Sequence, residues 1–582
     1  MKKIMEKLNL VDIIKASAVF VLTQIVVILI MTNFLFLINI EITKAHLPVS
    51  ILINIIVFFL LYRKNENIIK YTAIALSLII IFCSIFIVGK VYDTTADGNT
   101  YHKLAVGAMK NGWNPIYKDV VDFDIESGNP FDVSEDNVNI NWVDHYPKAS
   151  ETFGAVLYSF TDNIESGKSY TIMLIYACFG IIFYFLYKSR NINIITSFLI
   201  AFVLTVNPIT IVQLFNYYLD GALAMTLFLI FYSNFYIFNK DKYFDEFENF
   251  VILFSSIVIC INLKFTGLAF AGIFCLAFYI LYMVINFLKN KEEFKKEMVK
   301  YTIFYVVTVI ISICVVGSTS YLRNMIDHGH PLYPLYGEGH VENMVVKEQP
   351  KSFVDKSNLE IFLISMFAKG VNVSPSYSDL NVQPELKIPF TFTRSELNNY
   401  SIPDIRMSGF GPLFSGIFII GCFSVLYYII KYIKEKNTKS IYPFLMLLAL
   451  IFVLILVLDG TYWARYIPYV YMIPISSLVL LLDKKNKKYM RIIGYILLLL
   501  FLLNSFLVLN VQYSSIRNND VYTKNIIFNF KQNALNNQSY EIRLNHSGLQ
   551  GVLYNLDDLN INNYNIVKEN ENLKREGYFF FY

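Results

Sequence analysis

The sequence predicts an all-α integral membrane protein of about 13 transmembrane helices, with extracytoplasmic loop regions and a small α/β C-terminal tail. Three observations carry that expectation. Of the 582 residues, 55% are hydrophobic and only 16% charged, where a soluble domain carries about a quarter charged residues. The apolar residues stand in long blocks rather than in alternation, and the mean hydropathy is +0.47. Basic residues gather in the short connections between alternate blocks, the pattern that orients membrane helices.

A helix needs about 20 apolar residues to cross the hydrocarbon core. Blocks of that kind lie at 16–40, 47–62, 70–89, 169–187, 193–211, 219–238, 249–264, 266–288, 302–320, 412–433, 441–458, 466–482 and 492–511. The first block is long enough to span and no small-residue cleavage site follows it, so it reads as a retained helix rather than a signal peptide. With Lys2, Lys3 and Lys7 in the cytoplasm, alternation puts the other short-loop clusters on the same side: Arg63 and Lys64, Lys188 and Arg190, Lys240 and Lys242, Lys289 to Lys296, Lys434 to Lys439, and Lys484 to Lys488. Three long segments then face outward. The chain divides into helices at 1–89, a catalytic loop at 90–168, helices at 169–320, a second loop at 321–411, helices at 412–511 and a tail at 512–582. All seven histidines, from His46 to His546, fall on that outer side.

Composition also narrows the function. The net charge is +4, and the basic residues track the membrane instead of forming a groove with aromatics, so nucleic acid is not an expected partner. No P-loop or repeat is present. The six cysteines all fall inside apolar stretches, which argues against a disulfide framework or a cysteine zinc site.

The first outer loop begins Tyr92-Asp93-Thr94-Thr95-Ala96-Asp97-Gly98-Asn99-Thr100-Tyr101-His102, bringing two carboxylates to the membrane surface within one turn. A spacing of four puts Asp93, Asp97 and Tyr101 on one face if the segment is helical. A helix follows from about 99 to 110, and Gly112-Trp113-Asn114-Pro115 closes it. Asp144-His145-Tyr146-Pro147-Lys148 and Glu151 precede another helix. A carboxylate beside an apolar surface can be tuned to take the proton of a hydroxyl nucleophile. A plainer role for Asp97 is to cap the helix that begins near Gly98.

Further candidates lie at predicted helix ends. Lys264 ends a span, where it either holds a phosphate or snorkels to the interface. Arg323 and Arg465 stand just outside spans on the outer side, against the positive-inside trend, and arginine binds phosphate through a fork of donors. The plainer role for Arg465 is a lipid headgroup contact or an ion pair with Asp459. Asp220 begins a span beside Tyr217 and Tyr218, as a cavity residue or a helix cap. The spacing of His328, His330 and His340 matches no standard zinc pattern. A divalent cation, magnesium or manganese, bridging Asp93 or Asp97 to a phosphate is the better metal candidate.

These features together resemble the GT-C superfamily of polytopic glycosyltransferases, which includes protein O-mannosyltransferases, aminoarabinose transferases and bacterial relatives. The resemblance rests on Asp97-Gly98-Asn99-Thr100-Tyr101-His102 after a membrane helix, Asn207-Pro208 with Gln213 and Tyr217-Tyr218-Leu219-Asp220, and Asn262-Leu263-Lys264-Phe265-Thr266-Gly267. It continues through Arg323-Asn324 with Gly329-His330-Pro331-Leu332-Tyr333-Pro334, then Gly409-Phe410-Gly411-Pro412 and Trp463-Ala464-Arg465-Tyr466, and covers roughly residues 70–480. The sequence departs from the best-known members in the number of spans before the acidic loop and in having its two acids separated rather than adjacent. The resemblance implies an inverting transfer of a sugar from a polyprenyl-phosphate donor to an envelope glycan, lipid or protein. Asp97, with Asp93, would be catalytic; Tyr101, His102, His145, Asp220, Lys264, Arg323 and Arg465 would bind substrate. The rivals are a transporter or flippase of envelope lipids, a glycan polymerase or ligase, and a non-catalytic assembly protein. A transporter calls for charges near the bilayer midplane; here they stand at the outer rim.

Overall fold

The computed structural model describes residues 10–127, 139–190, 192–239, 245–289, 291–341, 344–371, 383–436, 438–535, 540–542, 550–561, 564–566, 575–576 and 580–581. Lys2, Lys3, Lys7, Lys240, Lys242 and His546 lie outside these residues.

The chain is helical. Among the described residues nine helices are long and apolar enough to cross a membrane: Leu10–Leu37, Asn67–Val88, Ile164–Ser189, Asp220–Asn239, Glu246–Leu263, Phe265–Leu288, Phe294–Thr319, Phe414–Lys434 and Lys488–Gln532. Four other expected spans form shorter apolar helices, His46–Leu61, Ile194–Thr205, Tyr442–Val457 and Pro468–Leu481. Two helices form the centre. Leu10–Leu37 is surrounded by Tyr170–Ser189, Asn67–Val88, His46–Leu61 and Glu246–Leu263, and Asp220–Asn239 packs against Tyr170–Ser189, Glu246–Leu263 and Phe265–Lys289. Asn67–Val88 and Phe294–Thr319 keep most of their surface outward. None of the six cysteines is in a disulfide.

Local sequence explains where the helices depart from the apolar blocks. The block at 193–211 breaks because Pro208 disfavours helix at the preceding residue. Asn207 then accepts from the N–H groups of Ile209 and Thr210, and the Thr210 side chain answers the Asn207 N–H, a capping box that starts a new turn at Pro208–Val212. The last block does not stop at 511. Residues 512–535 hold no glycine or proline, and the helix runs unbroken from Lys488 to Leu535, roughly 70 Å at 1.5 Å per residue. Past the apolar part it stays attached: Gln512 Nε2 donates to the Tyr400 carbonyl at 2.7 Å, and Asp520 Oδ1 accepts from the Tyr92 N–H at 3.1 Å.

The expected α/β tail is not supported. Its described residues hold the end of this long helix, the Leu553–Asp557 turn of helix and two strand pairs of two or three residues each. The turn docks beneath the first loop. Lys103 Nζ donates to Asn555 Oδ1 at 2.8 Å, Tyr158 OH to Asp558 Oδ1 at 2.5 Å, and the Tyr554 ring lies so close to Gly107 that a Cβ there would meet it at 2.1 Å.

The described part of the first long loop is mostly helical, with Lys103–Lys110, Val120–Ser127, Ile140–His145 and Ala149–Thr161, and its Trp113 is fully buried. Arg323 fastens the second loop to the first: it pairs with Asp119 and Asp327 and donates to the Pro115 carbonyl at 2.8 Å.

Candidate functional site

The first loop, the connection after Lys264, the start of Asp220–Asn239 and the segment around Arg465 enclose a cavity of about 400 Å³. Asp97, Tyr101, His102, Asp220, Lys264 and Arg465 all line it, joined by Trp142, Tyr146, Tyr218 and Tyr466. Six of the nine residues singled out from the sequence thus converge.

Arg465 is the hub. Its Nη1 lies 3.7 Å from Asp97 Oδ2 and 3.6 Å from Asp220 Oδ2, and its Nε lies 3.3 Å from Asp404 Oδ1. Its partners are these three carboxylates and not Asp459. The guanidinium packs between the rings of Trp463, Tyr218 and Tyr466, with its centre 4.2, 5.1 and 5.1 Å from theirs, a cation–π setting. The contacts with the acids are Coulombic: Nε makes no hydrogen bond among the described residues. Nε faces Asp404, and the charge of that carboxylate offsets part of the cost of a buried donor without a hydrogen bond.

Asp220 does not act as a helix cap. Its Oδ1 pairs with Lys264 Nζ at 2.9 Å, and its Oδ2 accepts from Gln213 Nε2 at 3.2 Å. Gln213 Oε1 takes the Gly221 N–H at 2.6 Å, so glutamine serves the helix start in its place. Lys264 does not snorkel. It is half-buried and turned onto Asp220, with Nζ 4.1 Å from the Tyr466 ring centre.

Asp97 makes no side-chain cap bond to the turn that follows it; Thr95 Oγ1 accepts the Gly98 N–H instead, at 3.3 Å. The Asp97 side chain is 24% exposed against 3% for Asp220 and 19% for Asp404, making it the most open of the three acids. Burial pushes the Asp404 carboxyl up to about 6, with Arg465 and Arg406 working against the rise. Burial also raises the Tyr101 and Tyr146 phenols well above their ordinary range, so both stay neutral hydroxyls.

His102 is placed by a buried carboxylate. Its Nδ1 lies 2.5 Å from Glu151 Oε1, and the Ser150 hydroxyl donates to Glu151 Oε2 at 2.8 Å. Burial works to raise the Glu151 carboxyl, but the His102 ring and the Ser150 hydroxyl outweigh it and hold the group below its ordinary range. An ionised Glu151 takes the Nδ1 proton as a hydrogen bond and sets the tautomer of the ring.

Three candidates stand outside the cavity lining. Asp93 and Asp97 do not share a helical face, because Asp93 bends the chain instead. Its Oδ1 accepts from the N–H and hydroxyl of Thr95 at 2.8 and 2.7 Å, a local turn that competes with helix. Its Oδ2 accepts from the Tyr217 N–H at 2.8 Å and sits where any Cβ on Gly98 would fall, 2.1 Å away. With both oxygens accepting hydrogen bonds from its own chain, Asp93 ties the loop to Tyr217. His145 is buried behind the cavity, with Nδ1 2.9 Å from Asn324 Oδ1 and its ring edge-on to His328 and Tyr333; burial pushes it down to about 3, so it stays neutral. Arg323 is the loop tie described above. Among the described residues no group of three or more His, Cys, Asp or Glu is arranged to hold a metal.

The sequence reading missed Asp404 and Arg406. Arg406 is buried, pairs with Glu348, lies 3.7 Å from Asp404 and stacks 4.6 Å from the Trp463 ring centre. Two opposite charges two residues apart, just before Gly409-Phe410-Gly411-Pro412, were the available signal. Compared with models of protein families and with curated proteins, the sequence matches none.

Proposed function

We propose that the chain is a GT-C-type glycosyltransferase that moves a sugar from a polyprenyl-phosphate-linked donor to an extracytoplasmic acceptor of the cell envelope, inverting the anomeric carbon. In this reading all thirteen apolar helices cross the membrane, the N-terminus is cytoplasmic and the cavity opens outward. Asp97 takes the proton of the acceptor hydroxyl as its oxygen bonds to the anomeric carbon. The bond from that carbon to the phosphate oxygen breaks, and Arg465 and Lys264 receive the developing charge. Tyr101 and His102 orient the sugar or the acceptor.

The observation that carries the reading is the pairing of an open carboxylate, free of any capping bond, with a buried guanidinium, 3.7 Å apart at a cavity wall. A base and a phosphate-binding cation on one wall are what transfer from a phosphate leaving group needs. A transporter of the same lipids would use the cation but needs no base.

The test is Asp97→Asn in the native host, with envelope glycans and lipid-linked sugars compared by mass spectrometry and the protein level in the membrane checked. One glycan is expected to lose a sugar while its lipid-linked donor accumulates, with transfer slowed about 10²–10⁴-fold. Unchanged glycans with the variant present at its normal level would refute the role of Asp97 and favour a transport or assembly function.

A further inference from the structure

A second cavity, of about 390 Å³, lies toward the other end of the same helices. Its walls include Phe228 and Phe231, eight and eleven residues along the helix that Asp220 begins, hence roughly 12–17 Å from that end. Phe444 lines it near the start of Tyr442–Val457, while Val457 at the far end lines the first cavity. The size falls within the roughly 300–1,000 Å³ of ligand sites.

The two cavities differ in charge. In the first, Arg465 and Lys264 are matched by carboxylates. Among the described residues that line the second, Arg190, Lys431 and Lys485 are basic and Asp483 is acidic, beside a wall of apolar and aromatic side chains. The Asp483 carboxylate accepts from the Lys485 backbone N–H at 2.9 Å. Asn486 spends its amide on the carbonyls of Leu480 and Leu481, closing that helix. The Arg190 guanidinium lies over the Phe185 and Phe235 rings, 5.2 and 4.7 Å from their centres, and Lys431 Nζ is 5.5 Å from the Tyr428 ring centre. Cations held on aromatic rims beside an apolar trough fit a ligand that is anionic at one end and hydrocarbon at the other. Basic pockets between membrane helices take acidic lipid headgroups for this reason.

We propose that this groove binds an anionic phospholipid of the bilayer, with an acyl chain against Phe228, Phe231 and Phe444 and the phosphate at Arg190, Lys431 and Lys485. The site is independent of the proposed transferase chemistry.

The test uses the full-length protein purified in detergent. Its thermal stability is measured against added phosphatidylglycerol, phosphatidylcholine, a polyprenyl phosphate and inorganic phosphate. Phosphatidylglycerol is expected to raise the Tm more than phosphatidylcholine or inorganic phosphate, and any shift with polyprenyl phosphate is expected to survive in the double variant Lys431→Gln/Lys485→Gln. That variant is expected to weaken phosphatidylglycerol binding about 25-fold, at about fivefold per lysine, while Asp97→Asn leaves it unchanged. Wild-type protein is also photolabelled with a diazirine-tailed phosphatidylglycerol, an arm that does not depend on the variants folding. Labelled peptides from 182–190, 228–235 and 472–480 are expected. Equal shifts with phosphatidylcholine or inorganic phosphate, a polyprenyl phosphate shift that the double variant abolishes, undiminished phosphatidylglycerol binding in the double variant, or labelling confined to other helices would each overturn the proposal.

Discussion

Replacing Asp220 by asparagine tests whether the cavity is held together by charge. Asparagine keeps the shape and accepts from Gln213 as before, so the substitution removes little besides the negative charge. Lys264, 11% exposed and 2.9 Å from Asp220 Oδ1, then has no carboxylate in reach among the described residues. Arg465 loses one of its three acids. Removing one partner of a buried pair costs about 3–5 kcal/mol, mostly from the charge left behind. Lys264→Met should cost less, because Asp220 keeps Arg465 at 3.6 Å and Gln213 at 3.2 Å. The double variant Asp220→Asn/Lys264→Met strands neither charge and should recover about 1–3 kcal/mol relative to the sum of the singles. Unfolding of the detergent-purified proteins, followed by intrinsic fluorescence, gives the cycle. Asp220→Asn as stable as wild type, or strictly additive losses, would show that the pair is solvated and that the cavity is not built on it.

Other outcomes follow from the same geometry. Asp404, with its carboxyl raised to about 6 against about 3.9 in an unfolded chain, holds its proton more tightly when folded. Its contribution to stability is therefore full below about pH 4 and declines as pH rises through about 6. Asp404→Asn, which mimics the protonated acid, should flatten the stability profile across that window in a pH series of unfolding midpoints. Gly107→Ala puts a Cβ 2.1 Å from the Tyr554 ring and should cost about 1–3 kcal/mol by overpacking, read as faster proteolysis within 550–561. Arg323→Gln removes a tie to Asp119, Asp327 and the Pro115 carbonyl. It should lower stability by about 1.5–3 kcal/mol, while glycan transfer per folded molecule stays near wild type.

Much was legible because it is local. Crossing a membrane depends on the length of an apolar run, so the positions of the helices follow from the chain itself, as do the break at Asn207-Pro208 and its cap. The block at 193–211 is too long for one helix because hydropathy does not register a proline or a capping side chain. The last block was read too short because a polar helix can continue where neighbours hold it, as Tyr400 and Tyr92 hold Gln512 and Asp520.

The site divides along the same line. The sequence by itself determined a helical membrane protein and the residue types, acids and cations at helix ends, that make a phosphate-handling site conceivable. Only the tertiary structure decided which of them meet. Asp93 and Asp97 are four residues apart and equivalent in composition. One is consumed by the N–H of Tyr217, 124 positions away, and the other opens toward Arg465, more than 350 positions away. Hydrogen bonds and ion pairs act over a few ångströms of space whatever the separation along the chain, so the fate of each carboxylate rested on which helix end the fold brought beside it.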